Sequence, residues 1–265
     1  MARVVALFRY PVKGFTPEAC EVLTALPEGR VAGDRALGFR FADSPARDAE
    51  WSRKHEFVAL VNTPGLARLK LHFDHEALRL RVSIGEVRLV EDVLDTDGRT
   101  RIAAAIQEHV LGLGENPLAG HPERLPLRLV GDGRTPRYQD NVAGQITLHS
   151  RASLDAVAAA VRDPAFDETR FRSNIVIDGV RAWTENEWLG RKIRIGGTVF
   201  EVARNKTRCL ATHANPVTGE RDVPVMMTLV SAFRQKEPTF AVGIVTSGPG
   251  GEIRVGDDVS VLSDG

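Results

Sequence analysis

The feature that most constrains the fold is a pair of short apolar segments joined by two glycines. Lys192–Ile195 and Thr198–Val202 lie on either side of Gly196-Gly197. A two-residue glycine turn matches the right-handed twist of antiparallel strands, so this pattern predicts a β-hairpin. Leu78–Val82 and Glu86–Val90 flank another glycine-containing turn and predict a second hairpin. We therefore expect sheets built from short strands that follow one another along the chain.

Further short segments rich in β-branched and aromatic residues predict additional strands. They are Arg3–Tyr10, Phe57–Val61, Leu66–Leu71, Leu125–Val130, Ile175–Ile177, Phe240–Val245 and Val259–Leu262. Many short strands with glycine turns and few helices are typical of barrels. The sequence thus predicts a mostly β (α+β) fold: an N-terminal β-barrel-like module followed by a β-barrel domain with a few short helices.

Three helices are predicted. Thr100–Leu113 carries apolar residues at helical spacing, and Thr100 is its expected cap. Ser153–Val161 repeats the pattern, with Ser153 as the expected N-cap. Met227–Phe233 is short and apolar.

The composition and periodicity of the sequence change between Gly112 and Arg137, which predicts a connection between two domains. This stretch holds four prolines and several glycines, with little periodicity. We expect an N-terminal β-barrel-like domain at residues 1–115 and a second domain at residues 116–265, with the linker at about 112–137.

The composition is typical of an ordinary globular protein of one or two domains. The 265 residues are 43% hydrophobic and carry no formal net charge, so bulk electrostatics give no reason to expect nucleic-acid or anionic-membrane partners. No apolar run approaches the roughly 20 residues that span a bilayer. The two cysteines lie 189 positions apart, which argues against a disulfide framework and predicts a cytoplasmic location.

Cys209 is the principal candidate for chemistry. It follows Arg204, Lys206 and Arg208 within five positions and precedes a Pro/Gly turn. Neighbouring cations favour a thiolate, so the sulfur is poised as a soft metal ligand or a nucleophile. The same cations could hold a bound anion. A small buried hydrophobe is the alternative.

Other templates are weaker. The two histidines of His72-Phe73-Asp74-His75 lack a carboxylate-supported ligand set, so zinc is not expected. There is no Walker loop, dinucleotide fingerprint or nucleophile elbow. His213 follows Cys209 by four residues and stays open as its base. Cys20 lacks cationic neighbours and is interpreted as structural, and Trp183 and Trp188 are interpreted as packing residues.

Four blocks in the second half resemble the MOSC domain, in that family's order. The blocks are Arg170–Ile177, Glu185–Trp188, Thr207–Cys209 with the Pro216–Gly219 turn, and Gly251–Asp257. Tyr10–Gly14 and Gly33–Arg35 are similar to the MOSC N-terminal β-barrel module. The ordered set covers nearly the whole chain.

The resemblance implies a molybdenum cofactor, Mo-molybdopterin, in which a protein cysteine supplies one sulfur ligand. It implies Cys209 as the molybdenum ligand and catalytic residue. The implied cofactor-binding residues are Lys13, Gly14, Arg35, Asn141, Arg172, Thr207, Arg208 and Cys209.

Several of these assignments have plainer alternatives. Gly14 stands where the family has a serine, and the local match at Asn141 is poor. Lys13 could be a solvated loop lysine, Arg35 a turn residue paired with Asp34, and Asn174 a brace for its turn.

The likeness extends to the amidoxime-reducing component and its bacterial relatives. It implies an oxidoreductase that reduces N-hydroxylated or N-oxide-type substrates. Electrons would come from an external partner such as a flavin reductase, an iron–sulfur protein or a haem protein, because the chain has no cluster-binding cysteine spacing. Two alternatives stay open: a sulfur-transfer protein that uses a Cys209 persulfide, and a cofactor carrier without turnover.

Overall fold

The computed structural model describes residues 1–263 and is mostly β, as predicted. The strands are β1 (Ala2–Arg9), β2 (Glu18–Cys20), β3 (Val22–Ala25), β4 (Gly38–Arg40), β5 (Leu69–Asp74), β6 (Arg79–Ile84), β7 (Val87–Val93), β8 (Arg128–Val130), β9 (Ile146–Ser150), β10 (Ile175–Asp178), β11 (Lys192–Ile195), β12 (Thr198–Thr207), β13 (Thr239–Thr246), β14 (Gly251–Arg254) and β15 (Asp258–Val261). The α-helices among the described residues are α1 (Thr96–Leu111), α2 (Arg151–Val161) and α3 (Val225–Phe233).

Seven strands close into a barrel. Their order is β10-β9-β13-β12-β11-β15-β1, and β1 pairs back onto β10. All neighbours are antiparallel except β9 and β10. Closure leaves no open edge inside the ring, and β2 adds to β1 from outside. Alternate residues along the strands fill an apolar core that includes Leu148, Ile193, Phe200 and Val242.

The predicted glycine hairpin is confirmed. Ile195 pairs with Thr198 across Gly196 and Gly197, and β11 shows alternating exposure and burial. Gly196 has a φ of +53°, a left-handed conformation that glycine adopts without the steric penalty of a Cβ. This hairpin starts the long strand β12, whose far end leads to Cys209.

The first half adds smaller sheets around a second core. Strands β5, β6 and β7 form an antiparallel sheet against which α1 packs, and β4 pairs with β8. Two strands of this half join the second half instead: β1 completes the barrel and β3 pairs with β14. The division at residues 115/116 stays a prediction, and residues 264 and 265 of the predicted second domain lie outside the described residues.

Two predicted strands in the first half are wrong. Phe57 makes a single bridge to Arg40, and the chain then turns instead of continuing as a strand to Val61. The Asn62 side chain causes this, because it accepts from Ala59 N (2.9 Å) and donates to the Phe57 carbonyl (2.9 Å). The predicted strand Leu66–Leu71 instead begins as a 3₁₀ turn at Pro64–Arg68 and becomes extended only at Leu69.

The helices were found but their N-termini were misplaced. α1 starts at Thr96 with Asp95 as its cap, and Thr100 lies within the helix. α2 starts at Arg151, because the Ser150 hydroxyl accepts from Ser153 N (3.1 Å) and caps the helix one turn earlier than expected. Within residues 1–263, every helix is too short or too polar to cross a bilayer.

Candidate functional site

A cleft opens where the end of β12 meets loops from the first half of the chain. It encloses about 920 Å³, including its mouth, which is open to solvent. All eight residues singled out from the sequence line it: Lys13, Gly14, Arg35, Asn141, Arg172, Thr207, Arg208 and Cys209. Their roles in binding a cofactor stay predictions.

Cys209 ends the extended run of β12 and precedes the 3₁₀ turn Leu210–His213. Its carbonyl accepts from the amide and the hydroxyl of Thr212, both at 3.0 Å. The thiol is half-buried, so the cleft reaches a sulfur that is neither sealed in the core nor fully in solvent. The backbone around this sulfur is therefore fixed by local hydrogen bonds.

Arg170 holds the segment after Cys209 in place. Its buried guanidinium pairs with both oxygens of Asp222 (2.9 and 2.7 Å) and donates to the carbonyls of His213 and Ala214 (both 3.2 Å). A bidentate arginine fixes both distance and angle. Sequence reasoning included Arg170 only as part of a motif block, because its backbone acceptors lie more than 40 positions away.

Arg172 and Arg208 enter the cleft as buried cations. Arg172 donates to the Phe15 carbonyl and lies over the Tyr10 ring (4.4 Å to the centroid). Arg208 donates to the carbonyls of Phe240 (2.8 Å from Nε) and Phe171 (2.9 Å). Burial, reinforced at Arg172 by Arg35, lowers the pKa of each guanidinium to about 10.

Neither of these two guanidinium groups has a carboxylate partner among residues 1–263. The backbone carbonyls accept some of the hydrogen bonds that Arg172 and Arg208 can donate, but they do not neutralise the positive charges. An anionic ligand would supply the counter-charge that these two guanidinium groups lack.

The N-terminal loops bring two further cations, each already paired. Lys13 is buried, and its ammonium donates to Asp140 (2.7 Å) and to the Tyr138 carbonyl (2.9 Å). Burial lowers the pKa of Lys13, and Asp140 partly offsets this. Arg35 pairs with Asp34 and donates to the Arg172 carbonyl (3.3 Å). Lys13 is therefore not a solvated loop lysine.

Gly14 departs from the family's serine for a steric reason. Its φ is +77°, and a Cβ there would lie 2.4 Å from Ala59 Cβ. Its carbonyl accepts from Leu60 N (3.2 Å), which ties the two loops together. A serine would need both a strained backbone and a displaced neighbour.

Of the remaining candidates, some brace the structure around the cleft. Asn141 Oδ1 accepts from Ala143 N (2.9 Å) and so shapes its own turn. Asn174 is buried, accepts from Thr147 N (3.2 Å) and donates to the Phe8 carbonyl (3.1 Å), which agrees with a bracing role. Trp183 and Trp188 pack in apolar clusters.

The charge balance of the lining is strongly positive. Its cationic residues are Lys13, Arg35, Lys54, Arg170, Arg172, Lys206 and Arg208, and its one acidic residue is Asp140. Asp140 stays ionised, because Lys13 and Arg35 outweigh its desolvation and hold its pKa well below the usual range. A thiol together with unpaired cations fits a soft metal bound to an organic group that carries a phosphate. The residues present thus fit Mo-molybdopterin.

The structure also bears on His213, the residue left open as a base for Cys209. His213 Nε2 accepts from Met226 N (3.3 Å) at the start of α3, so this nitrogen is engaged away from Cys209. Burial lowers the pKa of His213, with Arg221 and Arg170 adding to the effect. Residues 1–263 contain no group of three or more His, Cys, Asp or Glu side chains placed to bind a metal ion.

The site thus combines a closed barrel, a half-buried thiol that follows the end of one strand, and a cationic cleft beside that thiol. Residues 135–260 match the family model of the MOSC domain, so this part of the chain belongs to the MOSC domain family. The match spans Arg172, Arg208 and Cys209, whereas Lys13, Gly14 and Arg35 lie outside it.

Two kinds of curated relatives are similar to the chain. Molybdenum cofactor sulfurase of Caenorhabditis briggsae is 33% identical over 141 residues, which are 52% of this chain and 19% of the relative. Mitochondrial amidoxime-reducing component 1 of Mus musculus is 33% identical over 135 residues, which are 47% of this chain and 38% of the relative. The chain thus matches well under half the length of either relative. Among solved structures, the YUAD protein from Bacillus subtilis is 11% identical with a TM-score of 0.43, over 98% of this chain and 94% of that one.

Proposed function

We propose that this protein binds Mo-molybdopterin in the cleft and reduces N-hydroxylated substrates with electrons from a separate partner. The observation that carries the proposal is the placement of Cys209 in a cleft where Arg172 and Arg208 have no carboxylate partner among residues 1–263. The similarity to an amidoxime-reducing component supports the choice of substrate class. The two cysteines are unpaired, which agrees with the reducing conditions of a cytoplasm.

Each group of the chain has a distinct task in this proposal. Cys209 would give a thiolate to the metal, a soft donor for a soft ion. Arg172 and Arg208 would hold the anionic part of the cofactor through charge-assisted hydrogen bonds, and their carbonyl contacts already orient them. Lys13 and Arg35 would line the cleft as well, fixed by Asp140 and Asp34.

The reaction would consume two electrons and two protons for each substrate molecule. The N–O bond breaks, the oxygen leaves as water, and the nitrogen keeps a hydrogen in place of the hydroxyl. The bound cofactor would supply the two-electron chemistry. The protein would supply the thiolate ligand, the anchoring cations and a partly enclosed cleft.

The second candidate is sulfur transfer, favoured by the similarity to a molybdenum cofactor sulfurase. In that case Cys209 would carry a persulfide and the cations would hold the acceptor. A carrier that binds the cofactor without turnover is the third candidate.

The deciding experiment measures metal, pterin and sulfur on one preparation. Protein from a molybdenum-replete host is analysed for molybdenum and for pterin fluorescence, and Cys209 is examined by intact mass spectrometry. We expect stoichiometric molybdenum and pterin, and reduction of benzamidoxime with dithionite as donor. A metal-free protein that carries an extra sulfur on Cys209 would establish sulfur transfer instead. Full cofactor loading without reduction of benzamidoxime would favour the carrier.

A further inference from the structure

One lysine of the cleft is not explained by the proposed cofactor site. Lys206 lies on β12, three positions before Cys209, and its ammonium donates to Gln145 Oε1 (3.3 Å). The same oxygen accepts from Arg204 Nε (2.8 Å). Gln145 and Lys206 line the cleft, and Arg204 lies beside them at an exposed position. Two cations are thus held together by one neutral amide.

The neighbouring strand leaves room for this arrangement. Gly243 on β13 pairs with Arg204, and a Cβ there would lie 2.4 Å from Gln145 Oε1 and 3.1 Å from Lys206 Cδ. Any larger residue at this point of the barrel would displace both side chains. The absence of a side chain at position 243 therefore leaves the space that Gln145 and Lys206 occupy.

Most of the hydrogen-bond donors of Lys206 and Arg204 have no acceptor among residues 1–263. An ammonium has three N–H donors, and Gln145 takes one. The Arg204 guanidinium has five, and its one protein bond among residues 1–263 is the bond from Nε. Neither cation has a carboxylate partner in that part of the chain, and Asp140, the acidic residue of the lining, is bonded to Lys13.

The surroundings of Lys206 also make its charge costly. Burial lowers the pKa of Lys206 to about 8, and the positive charges of Arg208, Arg204 and Arg35 add to this, while Asp140 acts weakly in the opposite direction. An anion beside the ammonium would relieve this repulsion.

We propose that the cleft takes substrates that carry a carboxylate, which Lys206 binds with help from Arg204 while the N-hydroxylated group is directed towards Cys209. This substrate class rests on the proposed function. Arg172 and Arg208 are bonded to backbone carbonyls beside the Tyr10 and Phe171 rings. Within residues 1–263, by contrast, the side chains of Lys206 and Arg204 are bonded only to the Gln145 side chain. Arg172 and Arg208 therefore suit a permanently bound group, and Lys206 and Arg204 suit a ligand that binds and dissociates.

The test compares two probes of nearly equal shape, neutral benzamidoxime and anionic 4-carboxybenzamidoxime. Their affinities for the molybdenum-loaded protein are measured by calorimetry at pH 7, without an electron donor. We expect the anionic probe to bind about tenfold more tightly. In Lys206→Met this ratio should fall towards one. In the matched control Lys192→Met, an exposed position on β11, the ratio should stay as in the parent protein.

A titration of the parent protein gives a second measurement that needs no variant. Lys206 is charged below its pKa of about 8, so the preference for the anionic probe should be full at pH 6.5 and decline by pH 9.5. Four charged groups face Lys206: Arg204, Arg208, Arg35 and Asp140. Asp140 stays ionised over this range because its pKa is held well below the usual value, and Arg208, with a pKa of about 10, begins to lose its charge only at the alkaline end. The neutral probe corrects for any other titrating group.

Three results would overturn the assignment. One is equal affinity of the parent protein for the two probes, and another is a preference that does not change with pH. The third is loss of molybdenum or pterin from folded Lys206→Met, which would assign this lysine to the cofactor. Reduction assays with dithionite separate the two proposals. If neither probe is reduced while the charge preference holds, the proposed reaction fails and the anion subsite stands.

Discussion

At the scale of single residues, the two cysteines lie in contrasting surroundings. Cys209 lines the cationic cleft, whereas Cys20 lies on β2, with its sulfur 3.7 Å from the Glu18 carbonyl. Burial raises the pKa of Cys20, and the nearby Arg9 only partly offsets this. The thiol of Cys209 thus lies among cations in the cleft, whereas Cys20 packs against the apolar core of the barrel.

We therefore predict that Cys209→Ser loses molybdenum while keeping the fold, and that Cys20→Ser keeps both. A hydroxyl is a much harder ligand than a thiolate and cannot replace it on a soft metal. Metal content and circular dichroism are measured on both variants. Unchanged molybdenum and unchanged benzamidoxime reduction in Cys209→Ser would remove this residue from the mechanism.

Arg172 gives a second prediction at this scale. Arg172→Gln removes the charge but keeps most of the length of the side chain, so it should weaken cofactor retention by about 1.5–3 kcal/mol, the usual range for a charge-assisted hydrogen bond. Pterin content after gel filtration is the observable. The control is Arg254→Gln, an exposed arginine paired with Glu252 on β14. Equal pterin in both variants would mean that the anion is held elsewhere.

The residues that sequence reasoning missed share a physical cause. Its cationic neighbours indicated Cys209, and the family resemblance indicated Arg208 and Arg172; all three line the cleft. Arg170 acts on carbonyls 43 and 44 positions later, and Gln145 acts on a lysine 61 positions later. Such contacts depend on which strands become neighbours in the barrel, and local sequence carries no signal for them.

At the scale of elements, the loop around Gly14 has almost no tolerance for a side chain. Gly14 and Gly120 share a φ of +77°, but a Cβ at Gly14 would meet Ala59, whereas nothing lies within 4 Å of a Cβ at Gly120. A comparison of substitutions at Gly14 and Gly120 therefore distinguishes the cost of steric overlap from the cost of backbone strain.

We predict that Gly14→Ala lowers the free energy of unfolding more than Gly120→Ala does. Both substitutions should cost about 1 kcal/mol or more for the left-handed backbone. Only Gly14→Ala adds the overlap with Ala59, for which overpacking values suggest a further 1–3 kcal/mol, roughly. Urea denaturation of the two variants measures the difference. Equal destabilisation would show that the loop moves away without a penalty.

The segment after Cys209 depends on the pair Arg170–Asp222. Asp222→Asn should destabilise the protein by about 1.5–3 kcal/mol at pH 7, because the buried guanidinium loses its counter-charge. Burial alone would raise the pKa of Asp222, but hydrogen bonds from Arg170 and Asn215 outweigh it and lower that pKa. The stabilisation is therefore complete above about pH 5 and is lost as the pH falls through the depressed pKa.

Urea unfolding at pH 7 and at pH 3 measures this dependence. The difference between the parent protein and Asp222→Asn should shrink at the lower pH. The matched control is Asp258→Asn, which breaks the exposed pair with Arg3 and should change stability by less than about 1 kcal/mol. A difference that stays constant between the two pH values would contradict an electrostatic role for Asp222.

Element prediction succeeded where backbone pairing is local and failed where a side chain intervenes. The β11–β12 hairpin needs only its two glycines and the strands beside them. The predicted strand at Phe57–Val61 failed because Asn62 satisfies backbone groups that a strand would have paired. The position of the cap of α2 was misjudged for a similar reason, since Ser150 and Ser153 both have side chains suited to it.

At the scale of the whole molecule, electron supply is the open requirement of the proposed reaction. The chain has Cys20 as its one cysteine besides Cys209, too few for an iron–sulfur cluster, and it lacks a dinucleotide fingerprint. We predict that molybdenum-loaded protein with NADH and benzamidoxime is inactive and that a flavin and iron–sulfur reductase pair starts turnover. NADH oxidation with and without the pair is the assay. Robust NADH oxidation by the single chain would reveal an unrecognised cofactor site.

The barrel itself could be predicted only as a class. Short strands and glycine turns indicated a barrel, but the closing pair joins Arg3 to Asp178 and Leu7 to Ile175. No pattern in the sequence of either segment identifies the other segment as its pairing partner. The same pairing brings residues of the first loops close to the segment that holds Cys209, which explains why Lys13 and Arg35 can line a cleft with residues near position 209.

The long-range closure of the barrel also sets an order of events during synthesis. β1 leaves the ribosome before its partner β10, which follows about 170 residues later, and β15 follows later still. At 5–20 residues per second, β1 remains without β10 for roughly 10–30 seconds. The unpaired backbone groups along its edge stay open to other chains throughout that interval, so the yield of folded protein should depend on chaperone capacity and on translation speed.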